Sequence, residues 1–404
     1  MSELLITGIG ELVTNRSGLR GDLGVIPDAA VAIENGRVSW AGRRAEVPSG
    51  PASLPKLDCG GRAVVPGFVD AHTHIVFAGD RAEEFGRRLR GESYEEILAA
   101  GGGILSTVAA TQAASQAELV AASTDRALRM LGAGTTTIEV KSGYGLDVAT
   151  EAKMLRVAAA IDAEVPIDVI PTFLGAHVVP EGSRDRRSAY VDLVCGPMLD
   201  ACAPLARFCD VFCDSAGFSV AETRRILDAA AATGLRARLH ADQLSRVGAA
   251  QLAAELGAMC ADHLDYATAD DLEALRRAGT VAVLLPAVSF SMRTPFPDGR
   301  WVWDSGVTVA LATDCNPGTA WVETMPLVIS LACLGMGLTP AEALWAATRG
   351  GALAVGEEDK GRVVPGAVGD LVVLDAPTYL HIPYRPDGRL VWRVVKSGRA
   401  VDPR

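Results

Sequence analysis

A TIM-like (β/α)8 barrel with a small discontinuous β-sandwich formed by both chain ends, an α/β architecture, is expected of this 404-residue chain. Three observations lead there. Between about residues 66 and 314, short β-branched apolar runs alternate with longer Ala/Leu-rich stretches of helical period, the pattern of a parallel sheet whose crossovers are helices. The runs number eight, the count that closes a barrel. Each chain end reads instead as a few short strands with tight turns, too few for a stable sheet alone, so the two ends are expected to fold together. Residues 1–64 and 366–404 then form the sandwich, and 65–365 form the barrel. A doubly wound open sheet is the alternative arrangement of the same strands.

In chain order, the segment from Val31 to Trp40 carries Asn35-Gly36, a hairpin signal. The eight barrel runs are Gly67 to His74, Thr135 to Lys141, Ile167 to Leu174, Val211 to Asp214, Arg236 to His240, Met259 to His263, Val281 to Leu285 and Val307 to Thr313. A connection of about 60 residues follows the first run and contains Gly101-Gly102-Gly103. No Gly-Lys-Ser/Thr follows it, so it reads as a turn or hinge, with a lid over the barrel mouth as the functional alternative. Thr324 to Ala341 is uncharged over 18 residues, but Pro326, Gly335, Gly337 and Pro340 interrupt it, which favours a buried helix over a membrane span. Gly369 to Asp375 and Val391 to Ala400 supply the C-terminal strands.

Charge narrows the partners. Lys+Arg 38 against Asp+Glu 49 gives −11, with basic residues no more clustered than pairs such as Arg43-Arg44, so neither nucleic acid nor a membrane surface is expected. An anionic small molecule would need individually placed cations. Eight cysteines without a C-x-x-C pair argue against a disulfide framework and for a reducing, cytoplasmic setting, and the N-terminus shows no secretory pattern.

The chemistry concentrates in histidines. His72 and His74 lie two apart on a strand and so point the same way. Of the other four, His177, His240 and His263 also fall at strand ends, and Asp314 ends the eighth run. In a barrel these C-terminal ends converge on one face. Three imidazoles and a carboxylate suit zinc or iron, with one position left for water. His72, His74, His240 and Asp314 are therefore assigned as ligands of one divalent metal ion per subunit, Zn or Fe, and His263 as a group hydrogen-bonded to the water. A two-metal site would want a modified lysine ending the fourth strand. That strand ends in Cys213-Asp214, whereas Lys141 ends the second and is expected in an ion pair with Glu139.

The motifs Pro66 to His74 and Thr313-Asp314 resemble the amidohydrolase superfamily. Ala78 to Phe85, Gly101 to Ile104 with Ser106-Thr107, Glu139 to Leu146, Thr172 to His177, Leu239 to Gln243, Ala261 to His263 and Leu311 to Gly318 narrow the resemblance to its imidazolonepropionase family, over nearly the whole chain. That resemblance implies a hydrolase of histidine degradation, a homodimer, which opens the cyclic amide of 4-imidazolone-5-propanoate to give N-formimidoyl-L-glutamate. Metal-bound hydroxide would attack the ring carbonyl carbon. Arg81 would grip the propanoate in two places. Tyr144 and His177 match substrate-contacting positions, as do Asn316, Gly318 and Thr319, and Gln243 offers the ring a donor and an acceptor. Some members carry Glu where this chain has Gln243; an amide cannot take the water proton, so Asp314 with His263 becomes the expected base. Cys315 is not expected to act as a nucleophile. A deaminase of a nitrogen heterocycle on the same scaffold is the alternative, and a non-catalytic assembly protein would have lost ligands that this chain keeps.

Overall fold

The computed structural model describes residues 3–92, 96, 102–386 and 389–401. Of the Gly101–Gly103 run, Gly101 lies outside them. Gly103, at φ 78°, opens the helix Ile104–Ala113.

The strands before the barrel are β1 (Leu4–Leu12), β2 (Ile26–Glu34), β3 (Arg37–Arg43), β4 (Lys56–Asp58) and β5 (Ala63–Pro66). Those of the barrel are β6 (Phe68–Asp70), β7 (Thr135–Lys141), β8 (Asp168–Ala176), β9 (Phe208–Cys213), β10 (Arg236–Ala241), β11 (Cys260–His263), β12 (Val281–Leu284) and β13 (Val309–Leu311). After it come β14 (Leu371–Leu374), β15 (Val391–Lys396) and β16 (Arg399–Val401).

β6 to β13 pair in chain order, every pair parallel. The last strand returns to the first. Thr73 and Cys315 form a parallel bridge, Asp314 N–H donates to the His72 carbonyl at 3.1 Å, and His74 N–H donates to that of Cys315 at 3.0 Å. This closure rules out the open-sheet alternative. β7, all of it buried, shows why such segments become central strands: Thr135, Thr136, Thr137, Ile138 and Val140 are β-branched and pack on both faces. The helices between are punctuated by capping boxes at Ser115/Glu118, Ser219/Glu222 and Thr339/Glu342. The uncharged stretch is the buried helix Met325–Met336, ended by Gly337 at φ 75°. Among the described residues no helix is long and apolar enough to cross a membrane.

Both chain ends contribute to one sheet, in the order β16-β15-β14-β5-β1-β2-β3 with β4 on β1. Its strands alternate between two cores, as a period of two requires. Val64, Leu371, Val373 and Val395 join Ile6, Ile9, Val31 and Ile33 in a small core of their own. Their neighbours Val65, Val372, Leu374 and Val394 point into the barrel's core. Lys396 donates to Asp370 at 2.7 Å, and both Lys396 and Lys360 pair with Asp168, which starts β8. The sheet is thereby fastened to the N-terminal end of the barrel, leaving the other end for chemistry.

Candidate active site

At the C-terminal end, β6 runs into His72 and His74, β10 carries His240, β11 ends on His263 and Asp314 follows β13. All five are buried. His72 Nε2 lies 3.2 Å from His74 Nε2, and His240 Nε2 lies 3.4 Å from the same atom. Asp314 Oδ1 is 3.4 Å from both His72 Nε2 and His74 Nε2. The barrel thus brings together every predicted ligand, and His263 also stands within ligand reach of His72 and Asp314.

The tautomers say what belongs there. His72 Nδ1 faces Asp262 Oδ2 at 2.6 Å and His240 Nδ1 faces Asp210 Oδ1 at 3.1 Å. A carboxylate holds the proton on the nitrogen it faces, so each Nε2 presents a lone pair. Burial, reinforced by neighbouring cationic groups, pushes the pKa values of His72, His74 and His263 well below the ordinary range, which keeps the rings neutral. Lone pairs and a carboxylate crowded within 3.4 Å repel one another unless a cation joins them. The donor set fits a divalent metal, three imidazoles and one carboxylate being a usual zinc or iron complement.

Asp314 is held at φ 50° and His263 at φ 75°, a conformation that costs energy in residues other than glycine and concentrates at functional sites. Burial raises the Asp314 carboxyl to about 7.

Beneath the rings, Lys141 Nζ donates to Glu139 Oε1 at 2.9 Å, the expected ion pair, and also to Asp210 Oδ2 at 2.7 Å. Asp210, Asp262 and Arg238 escaped the sequence reading. Asp210 falls in the three residues of β9 that precede its expected start at Val211, and the signal available was an acid and an arginine inside apolar strands.

Beside the cluster, Arg81 lines a cavity of about 520 Å³ together with Arg88, Pro317, Gly318, Thr319 and Trp321. Arg81 Nε donates to Glu84 Oε2 at 2.8 Å and its Nη2 to the other oxygen, while Glu84 also accepts from Gly103 N–H at 2.8 Å. One edge of the guanidinium is occupied in this way, and the Nη1/Nη2 end remains for a ligand. Gly318 lets the guanidinium lie close to this loop, since a Cβ would sit 2.0 Å from Arg81 Nη1. Arg88, which donates to the Gly318 carbonyl at 3.1 Å, was not anticipated.

His177 stacks on His74 with centroids 5.1 Å apart, and Tyr144 lies 5.8 Å from His74 and 5.4 Å from His177. His177 Nδ1 is 3.0 Å from the Gly143 carbonyl, so it donates there and turns Nε2 outward. Burial, aided by His240, pushes its pKa down to about 3. Gln243 and Thr319 line a second cavity of about 360 Å³ with Asp265, Tyr266 and Phe296. Asn316 is bonded within its own loop: its amide donates to the Asp314 carbonyl (2.7 Å) and Thr319 Oγ1 (2.9 Å), and its oxygen accepts from Gly318 and Thr319 N–H (both 2.8 Å). The side chain builds the loop. Burial lifts the Cys315 thiol far above its usual range, consistent with no nucleophilic role.

The Amidohydrolase family matches residues 63–401. The imidazolonepropionase of Salinispora tropica is 50% identical over 400 residues, covering 98% of both chains. That of Symbiobacterium thermophilum is 50% identical over 413 residues, covering 99% of this chain and 97% of its own. The chain belongs to the amidohydrolase family, among the imidazolonepropionases. As an amidohydrolase it is a hydrolase, and its His/Asp cluster fits the divalent metal of that family. Among solved structures, triazine hydrolase from Arthrobacter aurescens superposes with a TM-score of 0.76 at 16% identity, covering 100% of this chain and 96% of its own. Guanine deaminase from C. acetobutylicum gives 0.72 at 14% identity, covering 99% and 100%. These two structures share the fold.

Proposed function

We propose that the chain hydrolyses the cyclic amide of 4-imidazolone-5-propanoate to N-formimidoyl-L-glutamate, a step of histidine degradation, as a homodimer in the cytoplasm. The observation that carries this reading is the convergence of His72, His74 and His240 Nε2 with Asp314 beside an arginine-lined cavity. The resemblance to imidazolonepropionases at half identity supports the substrate.

His72, His74, His240 and Asp314 would hold a single divalent cation, zinc or iron, which would supply Lewis acidity to polarise a carbonyl and to bring a water's pKa from about 15.7 to near 7. Every other part falls to the side chains. The Nη1/Nη2 end of Arg81 receives the propanoate. Tyr144 and His177 flank the ring, and the Gln243 amide faces its N–H and C=N groups. Asp314 accepts the proton of the attacking water and returns it to the departing ring nitrogen, while neutral His263 hydrogen-bonds that water. Gln243 cannot take this proton, which leaves the carboxylate of Asp314 as the base.

The test is to generate 4-imidazolone-5-propanoate enzymatically from urocanate and follow its absorbance. Chelator-sensitive loss without ammonia release is expected. Ammonia release from guanine or cytosine, with imidazolonepropanoate untouched, would turn the reading to a deaminase.

A further inference from the structure

Five charged side chains, those of Glu139, Lys141, Asp210, Arg238 and Asp262, are fully buried under the imidazoles. Burying so many charges is tolerated only where they are paired. Lys141 occupies the centre: its Nζ is 2.9 Å from Glu139, 2.7 Å from Asp210 Oδ2 and 3.7 Å from Asp262 Oδ2. The other oxygen of Asp210 faces His240 Nδ1 at 3.1 Å, and Asp262 faces His72 Nδ1 at 2.6 Å. One ammonium therefore stands between the two carboxylates that orient two imidazoles. Arg238 reaches Asp262 at 3.3 Å but donates otherwise to the carbonyls of Ala71 and Ala354.

We propose that Lys141 is a positioning residue for the cation site: by holding Asp210 and Asp262 in place it aims the Nε2 atoms of His240 and His72 at one point. The proposal rests on His72, His74, His240 and Asp314 being the ligands. Nothing in it requires Lys141 to touch the substrate. Loss of a group that orients a metal ligand lowers metal affinity by about ten- to a hundredfold, and a similar fall is expected here.

The full chain, stripped of metal, would be titrated with Co²⁺ against a chromophoric chelator while the visible spectrum of the bound ion is recorded. Wild type should take up one equivalent. Lys141→Met should bind about ten- to a hundredfold more weakly with altered bands, and methylammonium added to Lys141→Ala should restore part of the affinity. Lys360→Met, which removes another buried lysine at the opposite end of the barrel, should lower Tm and leave Co²⁺ binding unchanged. If Lys141→Met does not fold, Asp210→Asn carries the test, since it keeps the shape and removes the charge that Lys141 holds. Wild-type affinity and spectrum in a folded Lys141→Met or Asp210→Asn, or an equal fall in Lys360→Met, would overturn the proposal. A wild type that takes up no Co²⁺ overturns the ligand assignment and the proposal with it. Tight Co²⁺ binding without lactam hydrolysis counts against the proposed function alone.

Discussion

In the proposed reaction Asp314 combines two roles in one side chain, cation ligand and proton carrier. Asp314→Asn should lower kcat by about 10²–10⁴-fold, the usual weight of a positioned acid–base group, in a steady-state assay at saturating substrate. The role proposed for Arg81 comes earlier, on a part of the substrate that does not react. Arg81→Ala forfeits charge-assisted hydrogen bonds worth about 1.5–3 kcal/mol, so KM should rise roughly ten- to a hundredfold with kcat little changed. An unchanged KM removes Arg81 from the carboxylate site. The convergence of His72, His74, His240 and Asp314 was legible because histidines fall at four strand ends and those ends share one face. Asp210 and Asp262 were not, since an acid within an apolar strand gains meaning only from an imidazole on another strand, 30 residues away for Asp210 and 190 for Asp262.

Elements set the precision of these contacts. Gly143 lies between β7 and Tyr144 at φ 104°, and a Cβ there would lie 2.9 Å from His177 Nδ1. Gly143→Ala should therefore raise KM through displacement of His177 and cost about 1 kcal/mol or more of stability. Ser219→Ala makes the contrast, because it breaks a capping box at an exposed helix start. It should cost about 1 kcal/mol in denaturant unfolding and leave KM alone. Strand positions were readable from β-branched runs, with β7 predicted to the residue. β9 begins at Phe208, ahead of the expected Val211, because Asp210 interrupts the apolar pattern of a strand whose acid is satisfied inside the barrel.

On the scale of the whole molecule, the sheet of the two chain ends and the barrel share a wall of valines and leucines and a cluster in which buried Lys396, Asp370 and Lys360 meet the partly exposed Asp168. Removing one partner of a buried pair typically costs about 3–5 kcal/mol, so Lys396→Met should lower Tm markedly while cation binding at the far end of the barrel persists. That both ends would fold together was legible from their shortage of strands. The pairing itself was not, since β5 lies between β1 and β14 through partners about 300 residues apart, such as Val65 and Val372. In the proposed site, ligands scattered from His72 to Asp314 close on one cation. Anomalous diffraction from a metal-loaded crystal tests it most directly. One peak is expected, about 2.0–2.2 Å from Nε2 of His72, His74 and His240 and from an Asp314 oxygen. A cluster with no peak, or a metal bound elsewhere with these imidazoles apart, would contradict it.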